Sequence, residues 1–446
     1  MKNDRRSIFG WAMYDWANSA YTTTTLAVFL PILFGAQIVP EEGFRIFGAV
    51  LDAETLFSWM VGLGAIIVFV LSPVLGAIGD FSASKLRFLR IFAIVGSVLS
   101  MLFFFPGDGD VWPFILLFLV VEGCWAIAAV FYDSFLPHLS TPDTIDRVSS
   151  KGFAFGYIGG GLQFLISLVL ILLSPEDFRP TMVRIAIVLA GLWWLGFALF
   201  SFRRLREPSA AQPLPPGYQG GWSAWNFVRA GFNRTLATTR QLRRFPQILL
   251  FLIAFLAYND GVQAVISISA IYAEDTLKLG TDQIPLAFLA VQFVAFGGAF
   301  LFGRIAERIG TKRAILISLV LWTLITVGGY LLPEGQFLPF LILAASVGLV
   351  LGGTQALSRS LYGSMIPEAA SAEFYGFYSV FSKFSAIWGP IIFGLVNNLT
   401  GSSRQAILFF IIQFALGFVL LSLVDIDKAR ASKHHWHFAG ATATAD

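Results

Sequence analysis

Hydrophobic residues in this chain fall in long unbroken runs rather than in alternating or briefly amphipathic stretches. Runs that can cross a bilayer need about 20 residues with few charges. They recur here as Thr55–Gly79, Gly152–Ser174, Ile185–Phe202, Gln283–Gly303, Ala314–Pro333 and Gln405–Val424, among others. With the polar breaks between them they predict twelve helices, near residues 8–34, 55–79, 87–105, 111–136, 151–173, 182–203, 246–272, 282–305, 312–333, 337–366, 373–399 and 404–426. A membrane β-barrel is excluded, because its strands alternate every second residue in spans of about ten. The apolar run after Arg6 is too long for the core of a cleavable leader. The expected class is an all-α polytopic membrane protein.

Composition agrees. Of 446 residues 57% are hydrophobic and 13% charged, against roughly a quarter charged in a soluble domain. The single cysteine, Cys124, excludes an intramolecular disulfide and lies in an apolar run. A net charge of +3 acquires meaning only once the charges are placed. On the twelve-helix assignment the opposite side holds only Arg45, Arg179, Arg184, Lys278 and Arg404, while Arg359 and Lys383 lie inside spans. The remaining basic residues flank the termini and the connections on their side. Positive charge collects on the cytoplasmic side, so both termini are expected there.

The longest polar segment, Arg203 to Arg244, divides the chain into two sets of six helices. Its PSAAQPLPPGYQG run reads as a linker, and Arg229, Arg234, Arg240, Arg243 and Arg244 suit a segment lying at lipid headgroups. The expected division is a bundle over 1–203, a basic linker over 204–245, a second bundle over 246–427 and a tail over 428–446. Juxtamembrane basic residues are ordinary in membrane proteins, so no nucleic-acid partner is expected. The tail's HHWH, His434 to His437, reads as solvated rather than as a metal site, and no metal or cofactor is expected.

The halves repeat. GAIGDFSASKLR, from Gly76 to Arg87, follows helix 2, and GRIAERIGTKR, from Gly303 to Arg313, follows helix 8. Gly76 matches Gly303, Asp80 matches Glu307, and Lys85 matches Lys312. Helix 4 ends YDSFLP and helix 10 ends YGSMIP. Tyr14-Asp15 and Tyr258-Asn259 correspond in helices 1 and 7. The glycine, acid and basic cluster after helices 2 and 8 resembles the signature loop of the major facilitator superfamily. Gly303, Glu307, Arg308, Gly310, Lys312 and Arg313 fit it closely. The first copy (Gly76, Asp80, Lys85, Arg87) has Phe81 where a basic residue is common and Ala83 where glycine is usual, which implies a looser gate there. YDWANSAY, GFAFGYIGGG, YNDGVQ and GGTQALSRSLYGSMIP further resemble the vacuole-effluxer-like branch, whose fungal members are associated with export of amino acids from the vacuole. The resemblance implies two pseudo-symmetric six-helix bundles, helices 1, 4, 7 and 10 around a central path, and a multi-pass protein of a bacterial cytoplasmic membrane acting as a monomer.

Polar residues inside the spans are the candidate chemistry. Residues three and four apart share a helical face, so Trp11, Asp15, Asn18, Thr22 and Thr25 form one stripe. A carboxylate at a helix centre costs ~3 kcal/mol even on the lenient insertion scale, which makes Asp15 a functional candidate. Asp15, Asn18 and Thr22 of that stripe, with Tyr14, Tyr258, Asn259, Gln263, Gln355, Arg359 and Lys383, are the expected substrate path. Asp260, Glu122 and Asp15 are the proton-coupling candidates. Arg359, always charged and able to hold a carboxylate with two donors, suits either a substrate carboxylate or an acidic partner. Gly152, Gly156 and Gly160 recur every four residues, as close helix contacts require. No nucleophile–base set and no ATP-binding segment occurs, so an enzyme is not expected. The reading is a secondary transporter exporting a small polar solute, with amino acids in view, by alternating access and with proton coupling. The alternatives are an uncoupled facilitator of another metabolite, a lipid transporter or scramblase, and a non-transporting sensor.

Overall fold

The computed structural model describes residues 2–46, 48–208, 229, 231–233, 235–239, 245–280 and 283–433. Residues 209–220 of the Pro- and Gly-rich run, the basic residues Arg234, Arg240, Arg243 and Arg244, and the tail histidines lie outside the described residues.

Among the described residues, twelve helices are long and apolar enough to span a bilayer. They are α1 (Arg5–Gln37), α2 (Ala53–Phe81), α3 (Lys85–Phe104), α4 (Val111–Leu139), α5 (Ile145–Leu173), α6 (Glu176–Phe202), α7 (Pro246–Thr276), α8 (Gln283–Ile309), α9 (Thr311–Leu331), α10 (Phe337–Met365), α11 (Glu368–Thr400) and α12 (Ser403–Leu423). Polar residues at their ends mark where they start and stop. Asp4 accepts from the Ser7 amide and Asp52 from the Thr55 amide at 2.8 Å, each satisfying a donor that a helix start leaves free. Gly401, in the left-handed conformation, ends α11.

Two apolar cores form. Trp11, Tyr14, Leu30, Phe114, Phe131 and Trp194 anchor one within α1–α6. Phe251, Tyr258, Trp322, Tyr362 and Phe414 anchor the other within α7–α12. Leu63, Ile66, Phe69 and Val70 of α2 face outward, as do Leu395 and Leu399 of α11, as lipid-facing residues must.

Backbones approach closely at small residues. The α5 stripe lies on α1, where a Cβ at Gly159 would sit 2.6 Å from the Trp16 carbonyl oxygen and one at Gly156 2.8 Å from Ser19 Oγ. Between α8 and α10, a Cβ at Gly352 would lie 2.3 Å from the Ala295 carbonyl oxygen.

Among the described residues, several features depart from the expected regular helices, and three bear on the site. A short hairpin, β1 (Phe44–Ile46) with β2 (Ala49–Leu51), stands in the α1–α2 connection. Within α1 the segment Tyr21–Phe29 is a wider π turn. And α11, expected to run unbroken over 373–399, is two helices, Ser371–Phe384 and Trp388–Thr400. Pro390 explains the break: it has no N–H for the carbonyl one turn back, and its ring crowds that carbonyl.

Overpacking a tight helix contact costs about 1–3 kcal/mol. Gly352→Val is therefore expected to lower the thermal midpoint of detergent-solubilised protein by several degrees. Gly297→Ala, with nothing within 4 Å of the added Cβ, should leave it unchanged.

Candidate functional site

A cavity of about 620 Å³ lies between the bundles. Its walls come from α1, α4 and α5 on one side and from α7–α12 on the other. Asp15, Asn18, Thr22, Asn259, Gln263, Gln355, Arg359 and Lys383 of the expected path all border it. Others do not. Tyr14 is buried between Tyr132 and Phe202, and Tyr258 is buried with its hydroxyl on Ser358. Thr25, the last residue of the polar stripe rather than of the expected path, is buried within the π turn; Thr23, Leu26 and Ala27 border the cavity instead. Thr24, also inside, donates to Gln163.

At the end of the cavity nearest the termini, Arg359 crosses from α10 into the first bundle. Its Nη1 lies 3.0 Å from Asp133 and 3.5 Å from Asp15. Nε donates to Ser149 Oγ at 3.0 Å and Nη2 to the Ser149 carbonyl at 2.9 Å. Tyr132 donates to Asp15 at 3.0 Å. Phe153, Trp11 and Tyr132 surround the guanidinium with ring centroids at 4.1, 4.8 and 5.4 Å. Only 3% of the arginine remains exposed, so a solute carboxylate has no access to it in this state. Spacing and depth do not single out Asp133, although it stands in YDSFLP, where the second repeat has Gly363.

A second charged pair spans the bundles deeper in the membrane. Lys383 Nζ lies 2.5 Å from Glu122 Oε1 and 4.5 Å from the centre of the Trp125 ring. Lys383 keeps a quarter of its side chain exposed, whereas Glu122 is buried. Glu122 therefore meets Lys383 across the interface. Asp260 serves the broken helix: it accepts from the Gly389 amide at 2.9 Å and from Gln413. Its neighbour Asn259 donates to Ser385 at 2.5 Å, on the other side of the break.

Beyond Arg359 the terminal face is sealed. Asp80 is fully buried, 2.8 Å from Lys85, and accepts from the Glu373 and Ala372 amides at 2.8 and 3.2 Å. A carboxylate of the first bundle thus caps the start of a helix of the second. Lys85 also donates to Ser371 at 2.8 Å and meets His138 at 3.0 Å. The repeat-related Glu307 is exposed, 4.0 Å from Arg147, while Lys312 donates to the Ser422 and Val424 carbonyls within its own bundle. Arg87, Arg308 and Arg313 are exposed. Asp146 carries the polar link on this side, accepting from Thr311 at 2.6 Å and Ser360 at 2.5 Å. The expectation of a looser first gate is thus overturned. Phe81 packs with Ile78 in a small apolar cluster, and Ala83 adopts a positive φ of +49°, as Gly310 does in the second copy. Close packing also helps: a Cβ at Gly76 would sit 2.4 Å from the Ala372 carbonyl oxygen.

The chain matches the family described as vacuole effluxer Atg22 like over residues 3–434. It belongs to that family. The uncharacterized MFS-type transporter YxiO of Bacillus subtilis is 30% identical over 435 residues, covering 96% of this chain and 97% of the relative. Autophagy-related protein 22-1 of Neosartorya fischeri is 23% identical, covering 96% and 90%. Among solved structures, the human organic anion transporter MFSD10 aligns with a TM-score of 0.66 at 14% identity, over 94% of this chain and 99% of that one. The proton:xylose symporter XylE aligns at 0.65 and 13%, over 96% and 97%. The fold of this Atg22-like protein is that of the major facilitator superfamily, and the protein is a membrane transporter rather than an enzyme.

Hydrogen bonds from buried amides to a charged acceptor are worth about 1.5–3 kcal/mol, whereas an exposed ion pair is worth at most about 1 kcal/mol. In this Atg22-like transporter Asp80→Asn is therefore expected to raise labelling of terminal-face cysteines at least tenfold, and Glu307→Gln to change it less than about fivefold. Equal effects of the two would refute the asymmetry.

Proposed function

We propose that this transporter exports a small polar solute carrying a carboxylate, an amino acid or a close analogue, by alternating access. One observation carries the reading: a mid-membrane cavity walled by both bundles and closed by polar contacts at the terminal face. Among the described residues, the side-chain hydrogen bonds and ion pairs between bundles run from that face only as far as Glu122–Lys383. The family description as an effluxer supports the direction. The distribution of Lys and Arg supports cytoplasmic termini, which makes the sealed face the cytoplasmic one. The protein works as a monomer in a bacterial cytoplasmic membrane.

Lys383 is the cation left for a solute carboxylate, because Arg359 is fully engaged. The apolar wall contributed by α9, α10 and α12, with Ile325, Phe340 and Phe410, suits an apolar solute body. Coupling then follows from competition. A carboxylate arriving at Lys383 displaces Glu122, and a carboxylate left alone in a low-dielectric span takes a proton, which is released with the solute on the far side as Glu122 returns to Lys383. Asp260 lacks that freedom, since its oxygens are committed to the helix break.

Counterflow in proteoliposomes tests this. Solute exchange without net proton movement is expected to survive in Glu122→Gln, while accumulation driven by a pH step is lost. Lys383→Gln should lose both by at least tenfold. Asp260→Asn should reduce both together by loosening α11. Lipid movement without solute exchange would instead favour a scramblase, and pH-independent uptake an uncoupled facilitator.

A further inference from the structure

The groups around the Arg359 guanidinium have one origin. Asp15 and Trp11 stand on α1, Tyr132 and Asp133 on α4, Ser149 and Phe153 on α5. All belong to the first bundle, while the cation belongs to the second. Two carboxylates, a carbonyl and three aromatic faces make a cage for a cationic group: the acids supply charge, the rings their negative faces. We propose that this cage is the ammonium-binding site of the solute, and that Arg359 is a built-in competitor that occupies it whenever the terminal face is closed.

The geometry sets out the cycle. Separating the bundles at the terminal face must withdraw Arg359 with α10, because its tight polar side-chain contacts are all with the first bundle. Two carboxylates that shared one nitrogen, at 3.0 and 3.5 Å, stay behind. Among the described residues no second cation lies within ion-pair distance of either. The other titratable groups facing them are Tyr132 on α4, Tyr157 on α5, whose hydroxyl donates to Gln355, and Tyr375 and Tyr378 on α11; Arg204 touches α1 near Gly10, toward the terminal end. The vacated cage therefore calls for a cation from the terminal side. On closure Arg359 returns and expels it into the cavity that Asp15, Tyr132, Asp133 and Phe153 border. This gives the cycle a direction, away from the terminal face, and it rests on the alternating-access reading above. It also assigns the solute an ammonium group in addition to the carboxylate met by Lys383.

Spin labels at Asp143→Cys in the first bundle and Lys428→Cys on the helix after α12, in a Cys124→Ser background, report separation of the terminal face by dipolar distance measurement. With n-butylammonium at constant pH, the long-distance population is expected to grow, whereas n-butanol has no effect. Asp15→Asn and Asp133→Asn should each need at least tenfold more amine. Arg359→Gln, freed of the competitor, should need at least tenfold less, and Arg359→Lys should stay near wild type; thermal unfolding checks that each variant is folded. If Arg359→Gln loses the amine response while remaining folded, the arginine is not a competitor and the inference fails. If acid pH alone opens the face and amine adds nothing, the cage takes a proton only, which also overturns it. A single distance under every condition, in Arg359→Gln as well, would sink the alternating-access reading and the inference with it. Opening by a carboxylate solute without any amine response would sink the inference alone.

Discussion

One buried guanidinium sets the terms for this structure. An isolated cation in a low-dielectric interior is not tolerated, and even a paired one offsets its desolvation only where the remaining donors are also satisfied. Arg359 meets that condition through groups of the opposite bundle: two carboxylates, both oxygens of Ser149 and three rings. The second bundle supplies the charge and the first supplies nearly everything that makes the charge bearable. The closed terminal face is thus favoured without any latch of its own. The Asp80 and Asp146 contacts farther out add to a closure that the arginine already demands.

The two signature loops show how a repeated sequence yields unequal parts. Related positions both turn through a positive φ, +49° at Ala83 and +92° at Gly310. The side chains diverge in use. Asp80 reaches the amides that start α11 and Lys85 goes with it, so both are buried across the interface. Lys312 instead satisfies carbonyls at the end of α12, which leaves Glu307 at the surface. Phe81, in a position where charge is expected, adds apolar packing rather than loosening the loop.

Legibility in the sequence tracks which forces are local. Spans, their number and the duplicated loops are readable because hydropathy over 20 residues and motif spacing do not depend on partners. The polar stripe of α1 is readable through Asn18 and Thr22. It fails at Thr25, where a π turn breaks the 3.6-residue period that the stripe assumes. Asp133 escapes notice because the motif around it reads as a repeat rather than as a carboxylate in an apolar helix. Depth alone does not reveal the partners of Asp260, which lie at a break in another helix. That break has a signal in Pro390, but its stabilisation by Asn259, Asp260 and Gln413 is a tertiary fact.

The sorting of charge between the bundles has a consequence for selectivity. Near the cavity, the acids Asp15, Glu122 and Asp133 belong to α1 and α4, and the cations Arg359 and Lys383 to α10 and α11. Opposite signs on opposite bundles hold the closed state together, and they make any opening that draws the bundles apart a separation of charge. In a low-dielectric span such a separation is tolerable only if something else neutralises each wall. A solute with one group of each sign does so at both walls at once, whereas a solute with one charge leaves the other wall bare. On the proposed cycle a preference for a zwitterion would be a property of the interface itself, because the pairs that close the protein would also select what can open it.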